Sequence, residues 1–586
     1  MEDKKIVETK PEEKKVESKP EENKKIAESK PEEKKVESKK IEAKKGNPLV
    51  KKESTPTEKK ENKALKKERK SRKIDIKDYP LVPIDFNPKI PPLKKIKDKS
   101  QINLRYCLVS PFAYVHIFWD PKEYEVVYHL EEPMLNETEE TYKNQIIAGM
   151  KNMIDFSTVV KKTDENIFEY IHKRFKILAK EFGMDLPYES YKKIYYYLCR
   201  DFIGFNEAEP LLRDYFVEDI ECNGIDSAVY IVHRMFRNLK TNLVFKNYNN
   251  LESFVEKLAQ RCGKYISYAR PILDGSLPDG SRVNATYTKD ITSKGPTFTV
   301  RKFTKTPWTP PQLIGFNTLS PEMLAYLWLL IEYKMNILVI GGTASGKTTL
   351  LNAAAFFIPP EARVVSIEDT RELNLPRENW LPSVSRAATG LGKVGEIDLY
   401  SLLKASFRQN PDYVIVGEVR GAEASVLFQG MASGHSSIST IHADSVETVI
   451  KRLETPPIEL SPSLLNVLDC LCVMTHAIVN KQETRKLREI VEIVNVTPKG
   501  EAVTNTPFNW NSREDQFYFK SQSKIFEKIS ERYGFSQQEL TIEFRRRAQL
   551  LYKLYQQGIK EFHEVQDIVN EYYKQPENIL RKFNIQ

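Results

Sequence analysis

The spacing of apolar residues changes several times along the chain, and each change predicts a different kind of structure. From Leu104 to Leu130 apolar and aromatic residues predominate, and the stretch IFWDPKEYEVVYHL predicts two strands joined by a turn at Asp120–Pro121. Between residues 136 and 205 apolar positions recur every three or four residues, which predicts helices. Residues 206–305 mix short strands, glycine-containing turns and a helix from Leu251 to Arg261, so this part is predicted to be α+β.

Beyond this point strands and helices alternate. The apolar segments NILVIG, RVVSIE, YVIVGE and SSISTIH are short and are separated by helix-like stretches, which predicts a parallel sheet covered by helices. Short strands of alternating polarity follow from 488 to 519, and amphipathic helices close the chain between Gln538 and Phe583. A tryptophan and two prolines mark a hinge over residues 308–312. The predicted domains are therefore 104–307 and 313–586, joined by that hinge.

The first 80 residues lack this periodicity and are dominated by charge. They hold 27 basic and 19 acidic residues, and repeats such as KKIVETKPEE and KKVESKPEEN succeed one another. Such a segment buries too little apolar surface to offset its chain entropy, so residues 1–78 are predicted to be a disordered tail. Residues 79–103, rich in proline and lysine, are predicted to be an extended connector. The tail is interpreted as a solvated tether, or as an arm for an anionic membrane surface or a partner.

Charge, cysteine content and hydropathy exclude several classes of protein. The net charge is +9, but the 506 residues outside the first 80 carry 63 basic and 62 acidic residues, which gives little support to nucleic-acid binding. Six scattered cysteines without a CxxC pair indicate neither a zinc ribbon nor a disulfide framework. Because there is no apolar run of about 18 residues and no secretory leader, we expect a cytoplasmic protein that does not span the membrane.

The strongest chemical signal is the stretch GGTASGKT, which matches the pattern GxxxxGK[ST] between an apolar strand and a helix. Glycines at such a place let backbone N–H groups surround phosphates, and the helix N-terminus adds a positive dipole end. Lys347 is expected to reach the β- and γ-phosphates of ATP, and the Thr348 hydroxyl to ligate Mg²⁺. The residues predicted to bind the nucleotide are Gly341, Gly342, Thr343, Ala344, Ser345, Gly346, Lys347, Thr348 and Thr349.

Two further apolar strands run into carboxylates. Glu418 follows the strand YVIV, and a carboxylate at that end of a parallel strand would lie beside the phosphate-binding loop. It is expected either to hold Mg²⁺ through water or to polarise the attacking water. Glu368, Asp369 and Glu372 follow the strand VVSI, and one of these acids is expected to act as general base, although the spacing does not decide which.

Histidines and arginines complete the candidate set. His435 and His442 flank the strand SSISTI and are separated by roughly 23 Å of extended chain, too far to share a metal. A contact with the γ-phosphate or with a neighbouring subunit is expected instead. Arg270 and Arg282 lie on the loops RPILDG and LPDGSR, which glycine and proline hold in place. These arginines are expected either to act in trans on a neighbour's nucleotide or to form ordinary turn salt bridges.

Four stretches together, GGTASGKTT, VVSIEDTREL, NPDYVIVGEVRG and GHSSISTIHADS, resemble the secretion ATPases, the motor family of type II secretion, type IV pili and the archaellum. The upstream stretches RPILDGSLPDGSRVNAT and FTVRKF are similar to the archaeal branch. The resemblance covers roughly residues 104–583 and leaves out the tail. The four-cysteine zinc element of the bacterial type II members is missing, which also favours the archaeal branch.

The resemblance implies a fold and an assembly. The implied fold is α/β, with a helical and α+β N-terminal domain ahead of a RecA-like P-loop motor domain that contains a parallel-rich sheet. The implied assembly is a homo-hexameric ring that binds ATP and Mg²⁺ between its domains. Such a ring acts on a polytopic membrane platform protein and is peripheral at the inner face of the cell membrane.

The resemblance also implies residue roles. By position, Glu372 corresponds to the family's catalytic glutamate and Glu418 to its Walker B glutamate. His435 and His442 fall on its histidine box, and the two arginines named above fall in its arginine-containing loop. The predicted function is ATP hydrolysis coupled to assembly or rotation of a pilus-like filament, an archaellum or a secretion system. The alternatives are a DNA translocase or conjugation-type ATPase of the same motor class, and a nucleotide-binding switch without turnover.

Overall fold

The first half of the described chain consists of helices packed beside a sheet of hairpins. The structure of the whole chain is a computed structural model. It describes residues 75–89, 93, 96, 98–153, 164–303, 306–386, 395–479, 482–520 and 522–585. Residues 1–74 of the predicted tail lie outside these ranges. The strands are β1 (Asn103–Val109), β2 (Ala113–Asp120), β3 (Glu125–Glu131), β4 (Val217–Cys222), β5 (Ala228–His233), β6 (Arg237–Val244), β7 (Ile272–Ser276), β8 (Arg282–Thr286) and β9 (Thr297–Arg301). The helices are α1 (Glu137–Met153), α2 (Asp164–Glu181), α3 (Tyr188–Phe202), α4 (Glu209–Arg213) and α5 (Tyr248–Arg261).

The nine strands form one sheet in the order β1-β2-β3-β6-β5-β4-β9-β8-β7. All neighbours are antiparallel except β3 and β6. Helix α5 covers one face, and its Leu251, Phe254 and Leu258 share a core with Phe298 of β9. The two strands predicted between Leu104 and Leu130 are β2 and β3. The prediction missed β1, because it did not use Ser110–Pro111, which separates β1 from β2, as a turn signal.

Helices α1 to α3 form a second core, and the predicted connector is part of it. Tyr79, Val82 and Phe86 are buried among these helices, and the Tyr79 hydroxyl donates a hydrogen bond of 2.8 Å to the carbonyl oxygen of Leu186. The described part of this segment before its first gap, residues 79–89, contains no helix, in keeping with its prolines. Its apolar side chains nevertheless fill space between helices, so this part of residues 79–103 is more than a spacer.

The second half of the chain forms the larger α/β structure. Its strands are β10 (Ile337–Ile340), β11 (Val364–Glu368), β12 (Trp380–Val384), β13 (Tyr413–Val419), β14 (Ser436–Ile441), β15 (Cys470–Val479), β16 (Gln482–Val496), β17 (Ala502–Asn511) and β18 (Gln516–Phe519). Its helices are α6 (Pro310–Gly315), α7 (Pro321–Glu332), α8 (Lys347–Ala355), α9 (Leu399–Ser406), α10 (Glu423–Ala432), α11 (Val446–Glu454), α12 (Pro462–Leu465), α13 (Lys524–Tyr533), α14 (Gln537–Gln556), α15 (Phe562–Lys574) and α16 (Pro576–Lys582). Short 3₁₀ helices occur at Ile76–Asp78, Lys99–Gln101, Asn206–Ala208 and Phe407–Gln409.

The second sheet confirms the predicted RecA-like, parallel-rich fold. Its order is β12-β11-β13-β14-β10-β15-β16-β17-β18, and every pair from β12 to β15 is parallel. Strands β16, β17 and β18 extend it, each antiparallel to the strand before it. Separate apolar cores cover the two faces of this sheet. Burial on both faces explains why β10, β11 and β13 have continuous apolar sequences rather than alternating ones.

The predicted hinge, residues 308–312, leads directly into α6. Thr309 is buried, and its hydroxyl donates a hydrogen bond of 3.1 Å to the carbonyl oxygen of Lys560, just before α15. Trp308 packs against the core of the second half. The hinge remains a prediction, and in this structure its residues are tied to the C-terminal helices. None of the described helices has the length and apolar character needed to cross a membrane.

A buried carboxylate joins the C-terminal helices to the second sheet. Glu492 of β16 is 0% exposed, and one of its oxygens accepts hydrogen bonds from the Tyr326 hydroxyl of α7 at 2.6 Å and the Ser523 hydroxyl at 2.5 Å. Its other oxygen accepts from the backbone N–H of Lys524 at 2.8 Å and the side-chain amide of Asn505 at 2.6 Å. Ser523 also caps the N-terminus of α13, so this single side chain fixes where the C-terminal helices begin.

We expect Glu492→Ala to destabilise the protein strongly, because it leaves several buried donors without an acceptor. Each unsatisfied buried donor costs about 1–3 kcal/mol, so the thermal midpoint should fall by about 5 °C or more. Differential scanning calorimetry measures the change, and Glu501→Ala, which removes an exposed glutamate at the start of β17, is the control. Equal midpoints for the two variants would contradict the assignment of Glu492 as the link.

Candidate nucleotide-binding site

The carboxyl ends of four parallel strands meet at one edge of the second sheet. Ile340 of β10 pairs with Ile441 of β14, and Val416 of β13 pairs with Ile367 of β11. The segments that follow β10, β14, β13 and β11 therefore emerge side by side. The glycine-rich loop follows β10, His442 follows β14, and the acidic loop follows β11. Glu418 lies near the end of β13 itself. A bulge after Val416 turns the end of β13 towards the loop side of its neighbours.

The glycine-rich loop connects β10 to α8, as the motif predicts. Gly341 has φ 150° and Gly346, the residue before α8, has φ 97°, a region that favours glycine. A Cβ on Gly341 would lie 2.4 Å from the carbonyl oxygen of Met474 in β15, so a side chain does not fit there. At Gly342 a Cβ would meet no described atom within 4 Å, so the loop is open at this point. The Ser345 hydroxyl stabilises the loop conformation by donating a hydrogen bond of 2.9 Å to the Gly342 carbonyl oxygen.

Lys347 points back into this loop. Its Nζ donates hydrogen bonds to the carbonyl oxygens of Gly341 at 3.0 Å and Gly342 at 2.9 Å, and to Nδ1 of His442 at 3.3 Å. Burial lowers the pKa of Lys347, while the charges of Glu418 and Glu372 act in the opposite direction. The ammonium group is thus surrounded by acceptors, as a buried cation requires. Thr348 follows it on the first turn of α8 and remains partly exposed.

His442 connects Lys347 to Glu418. Its Nε2 lies 3.1 Å from Oε1 of Glu418, on the other side of the ring from Lys347. Burial, and then the Lys347 charge, lower the pKa of His442, which favours the neutral ring. The partners assign the tautomer, since Nδ1 accepts from Lys347 and the Nε2 proton is donated to Glu418.

Arg420 is the second partner of Glu418. Its guanidinium donates two hydrogen bonds to the Glu418 carboxylate, at 2.8 and 2.7 Å, and lies 3.8 Å from Asp369. Burial alone would raise the pKa of Glu418, but the Arg420 hydrogen bonds and charge lower it overall. The carboxylate is therefore ionised and oriented. Arg420 stands two residues after Glu418 in the GEVRG stretch, which was noted only for its family resemblance.

The acidic loop after β11 is organised by its first member. Glu368 is 2% exposed, and its Oε1 accepts hydrogen bonds from the backbone N–H groups of Glu372 and Leu373, both at 2.9 Å. Burial raises the pKa of Glu368 to about 7. Glu368 is therefore buried under the loop and stabilises its backbone. Glu372 is exposed at the sheet edge, and its backbone N–H is held by Glu368. Asp369 and Glu372 are both exposed, but the Asp369 carboxylate accepts a hydrogen bond of 3.2 Å from the Ser385 hydroxyl, whereas the Glu372 backbone is the one that the buried Glu368 holds.

A second buried side chain reaches the acidic loop from α8. Nδ2 of Asn352 donates to the carbonyl oxygens of Thr348 at 3.2 Å and Glu372 at 3.3 Å, and its Oδ1 accepts from the N–H of Asn374 at 3.0 Å. Asn352 is 4% exposed. Sequence reasoning missed this residue because its partners lie about 20 positions away, and no local pattern marks such a contact.

The other predicted residues take part in different contacts within the chain, although Arg282 lies opposite Arg301 in the pairing of β8 with β9. His435 lies at the opposite end of β14, where its ring packs against that of Phe407 with centroids 4.8 Å apart. Arg282 forms an ion pair with Asp274 at 3.2 Å on the neighbouring strand. Arg270 is exposed just before β7. The predicted contacts of these three residues with a nucleotide or a neighbouring subunit stay predictions.

A different arginine of the first sheet faces the acidic loop. The charge of Asp219, which lies 3.1 Å from Arg301, is the main cause of the raised pKa of Arg301, and the charge of Glu372 contributes. Nearby, the guanidinium of Arg371 lies 5.4 Å from the ring centroid of Phe303 and 5.1 Å from that of Trp380. The end of β9 therefore meets the acidic loop. The stretch FTVRKF contains Arg301 and was noted only for its family resemblance.

Another unpredicted arginine supports the glycine-rich loop. Arg485 of β16 donates a hydrogen bond of 2.9 Å from Nε to the carbonyl oxygen of Ala344. Burial lowers the pKa of Arg485, and the charge of Glu218 in β4 acts in the opposite direction. Beside it, Arg237 of β6 forms an ion pair with Glu483 and lies 2.9 Å from Nε2 of His476. The hairpin of β15 and β16 therefore contacts both the loop and the first sheet.

The fold and the site together define a P-loop nucleotide-binding protein with a RecA-like sheet. A family model of type II/IV secretion system proteins matches residues 209–533, and a model of the PilB3-like C-terminal domain matches residues 514–586. The chain therefore belongs to the type II/IV secretion system family, whose members form the secretion ATPase class.

Several individual proteins are similar to this chain. The Methanocaldococcus jannaschii protein MJ0900 is 34% identical over 516 residues, which are 82% of this chain and 91% of that protein. The type IV secretion system protein PtlH of Bordetella pertussis is 34% identical over 227 residues, 35% of this chain and 67% of PtlH. The crystal structure of the VirB11 ATPase from the Brucella suis type IV secretion system covers 48% of this chain and 90% of its own, with 25% identity and a TM-score of 0.25.

The raised pKa of Glu368 predicts a pH-dependent cost of folding. A carboxyl group whose pKa is about 7 when folded and 4.5 when unfolded favours the folded state at low pH, and this contribution is lost as the pH rises through 7. Glu368→Gln cannot ionise, so its stability relative to the wild type should increase from pH 5 to pH 8 by on the order of 3 kcal/mol. Denaturation at both pH values measures this, with Glu378→Gln at an exposed position as control. A pH-independent difference would show that Glu368 does not titrate in this range.

Proposed function

We propose that the chain hydrolyses ATP and uses the energy as a motor for the assembly or rotation of a pilus-like filament, an archaellum or a secretion system. One observation carries the proposal: Lys347, His442 and Glu418 are joined by hydrogen bonds at the sheet edge, beside the loop that bears Glu372. Membership of the secretion ATPase class supports the same activity.

The residues of the loop fit ATP and Mg²⁺ as substrate. The loop is open at Gly342, and Lys347 donates to loop carbonyl oxygens that phosphate oxygens would replace. The stretch from Gly341 to Thr349 would surround the phosphates. The Thr348 hydroxyl would ligate Mg²⁺, and Glu418 would hold it through water; bound Mg²⁺ would neutralise charge on the phosphates.

Glu372 is the proposed general base. Its carboxylate is exposed at the sheet edge, while both its N–H and its carbonyl oxygen are held by buried side chains. A base with a fixed backbone and a free carboxylate can orient a water molecule and accept its proton. His442 is proposed to sense the γ-phosphate through Lys347, and His435, at the other end of β14, to contact a neighbouring subunit.

Charge that develops during phosphoryl transfer requires further cations. Arg301 is the arginine of the first sheet that already interacts with Glu372 within the chain. Arg270 and Arg282 are proposed to act in trans, on the nucleotide of the next subunit in a homo-hexamer. Arg270 is exposed, and Arg282 is partly exposed and lies opposite Arg301 in the pairing of β8 with β9, so both arginines are accessible to a neighbouring subunit.

The work of the motor is proposed to reach a polytopic membrane platform protein. The ring would be cytoplasmic and peripheral at the inner face of the cell membrane, with the basic N-terminal tail as a contact to an anionic membrane surface. Rotation about residues 308–312 would change the position of the first sheet relative to the second. The ion pair of Arg237 with Glu483 crosses between the two sheets and would respond to that motion.

We expect Glu372→Gln to bind ATP with wild-type affinity and to hydrolyse it at least about 100-fold more slowly, because a general base commonly contributes that much. Phosphate release measures turnover, and a fluorescent ATP analogue measures binding. Lys347→Ala is the matched control and should lose binding.

Near-wild-type turnover in Glu372→Gln would remove Glu372 from the role of base. Wild-type protein that binds ATP without turnover would favour the switch, and stimulation by DNA rather than by lipid vesicles would favour a DNA translocase.

The arginines can be tested by mixing variants. Arg282→Ala should lower turnover by about 10³-fold if it supplies a transition-state charge. When Arg282→Ala and Lys347→Ala subunits are mixed, activity should partly return, since an intact site would then border a subunit with an intact arginine. Arg301→Ala mixed in the same way should not recover, because Arg301 acts within its own chain. Recovery by Arg301→Ala and not by Arg282→Ala would reverse the two assignments.

A further inference from the structure

The proposed base is held by two buried side chains from different elements. The N–H of Glu372 donates to Glu368, which belongs to the same loop and strand, so that contact is local. The carbonyl oxygen of Glu372 accepts from Asn352, which belongs to α8. Asn352 is therefore the side chain that connects Glu372 to the helix that follows the glycine-rich loop.

The amide of Asn352 makes contacts on three sides. Nδ2 is shared between the carbonyl oxygens of Thr348 and Glu372, and Oδ1 accepts from the N–H of Asn374. Thr348 is the residue proposed to ligate Mg²⁺. One buried amide thus connects the first turn of α8, which carries Thr348, to the backbone from Glu372 to Asn374.

Packing alone does not call for an amide at this position. Leu350, Leu351 and Ala353 on the same helix are buried among apolar side chains, and an apolar residue of similar volume would avoid the cost of burying polar atoms. The amide is compatible with burial because it forms these hydrogen bonds. Its specific contribution is the relative position of two backbone segments.

We propose that Asn352 is a positioning residue for ATP hydrolysis, which sets the place of Glu372 relative to the glycine-rich loop. The inference rests on the proposed function. Asn352 does not touch the open part of the loop around Gly342, so it acts on the turnover number and leaves nucleotide affinity unchanged.

The test compares Asn352→Ala with Asn336→Ala. Asn336 is also a buried asparagine of the second half, with its Nδ2 donating to Val467 and its Oδ1 accepting from Ser437, but it precedes β10 at the far end of the strand. Both variants lose stability. We expect kcat for ATP to fall about 10- to 100-fold only in Asn352→Ala, with an unchanged Kd for the fluorescent ATP analogue. Asn352→Leu, which keeps the side-chain volume, should show the same loss and serves if the alanine variant does not fold.

A double variant separates positioning from other effects. If Asn352 acts through Glu372, adding Asn352→Ala or Asn352→Leu to Glu372→Gln should lower the residual turnover no further. An additional loss of the same factor, or wild-type kcat in the single Asn352 variants, would overturn the inference while leaving the proposed function intact. Absence of turnover in the wild-type protein would instead defeat the proposed function, and this inference with it.

Discussion

Parallel pairing of β10, β14, β13 and β11 is the constraint on which the site depends. Parallel strands share a direction, so the segments after their carboxyl ends collect at one edge, and the register decides which residues are neighbours. The strand β14 lies between β10 and β13, which allows His442 to reach Lys347 on one side and Glu418 on the other. A shift of two residues in β14 would separate these three side chains, although every strand would remain buried.

The charges at this edge are balanced by contact rather than by exposure to solvent. Lys347 is buried, which disfavours its ammonium form, and loop carbonyl oxygens together with His442 compensate for the lost water. Glu418 is kept ionised by Arg420. The lowered pKa of His442 favours its neutral ring. Lys347 and Glu418 are therefore connected by the hydrogen bonds of this ring rather than by a direct ion pair. Phosphate oxygens arriving at Lys347 would therefore alter the hydrogen bonds of His442 before those of Glu418.

Local patterns predicted the parts of this site that are contiguous in sequence. The glycine-rich loop, its lysine and the glutamate at the end of β13 each follow an apolar strand, and the structure has them as the spacing indicated. Patterns could not predict Asn352 or Arg485, because the partner of each lies far along the chain.

The same reasoning explains two features of the fold that the sequence understated. The strand β1 was overlooked although Ser110–Pro111 separates it from β2, and the connector's Tyr79 and Phe86 looked like isolated apolar residues in a spacer. Contacts with distant parts of the chain determine the positions of β1 and of the connector. The spacing of apolar residues within a segment does not predict such contacts. The RecA-like sheet was predictable because burial on both faces leaves a continuous apolar run in each parallel strand.

The contacts of Glu372 have a consequence for how turnover could be coupled to motion. Its backbone is tied to the second sheet through Glu368 and Asn352, whereas its charge interacts with Arg301 of the first sheet. Under the proposed hinge motion the base would stay with the glycine-rich loop while Arg301 moved. The field at the carboxylate would then change with the angle between the sheets, although its position relative to the loop would not. Such an arrangement would let domain motion change the position of Arg301 relative to the Glu372 carboxylate while the backbone of Glu372 stays with the glycine-rich loop.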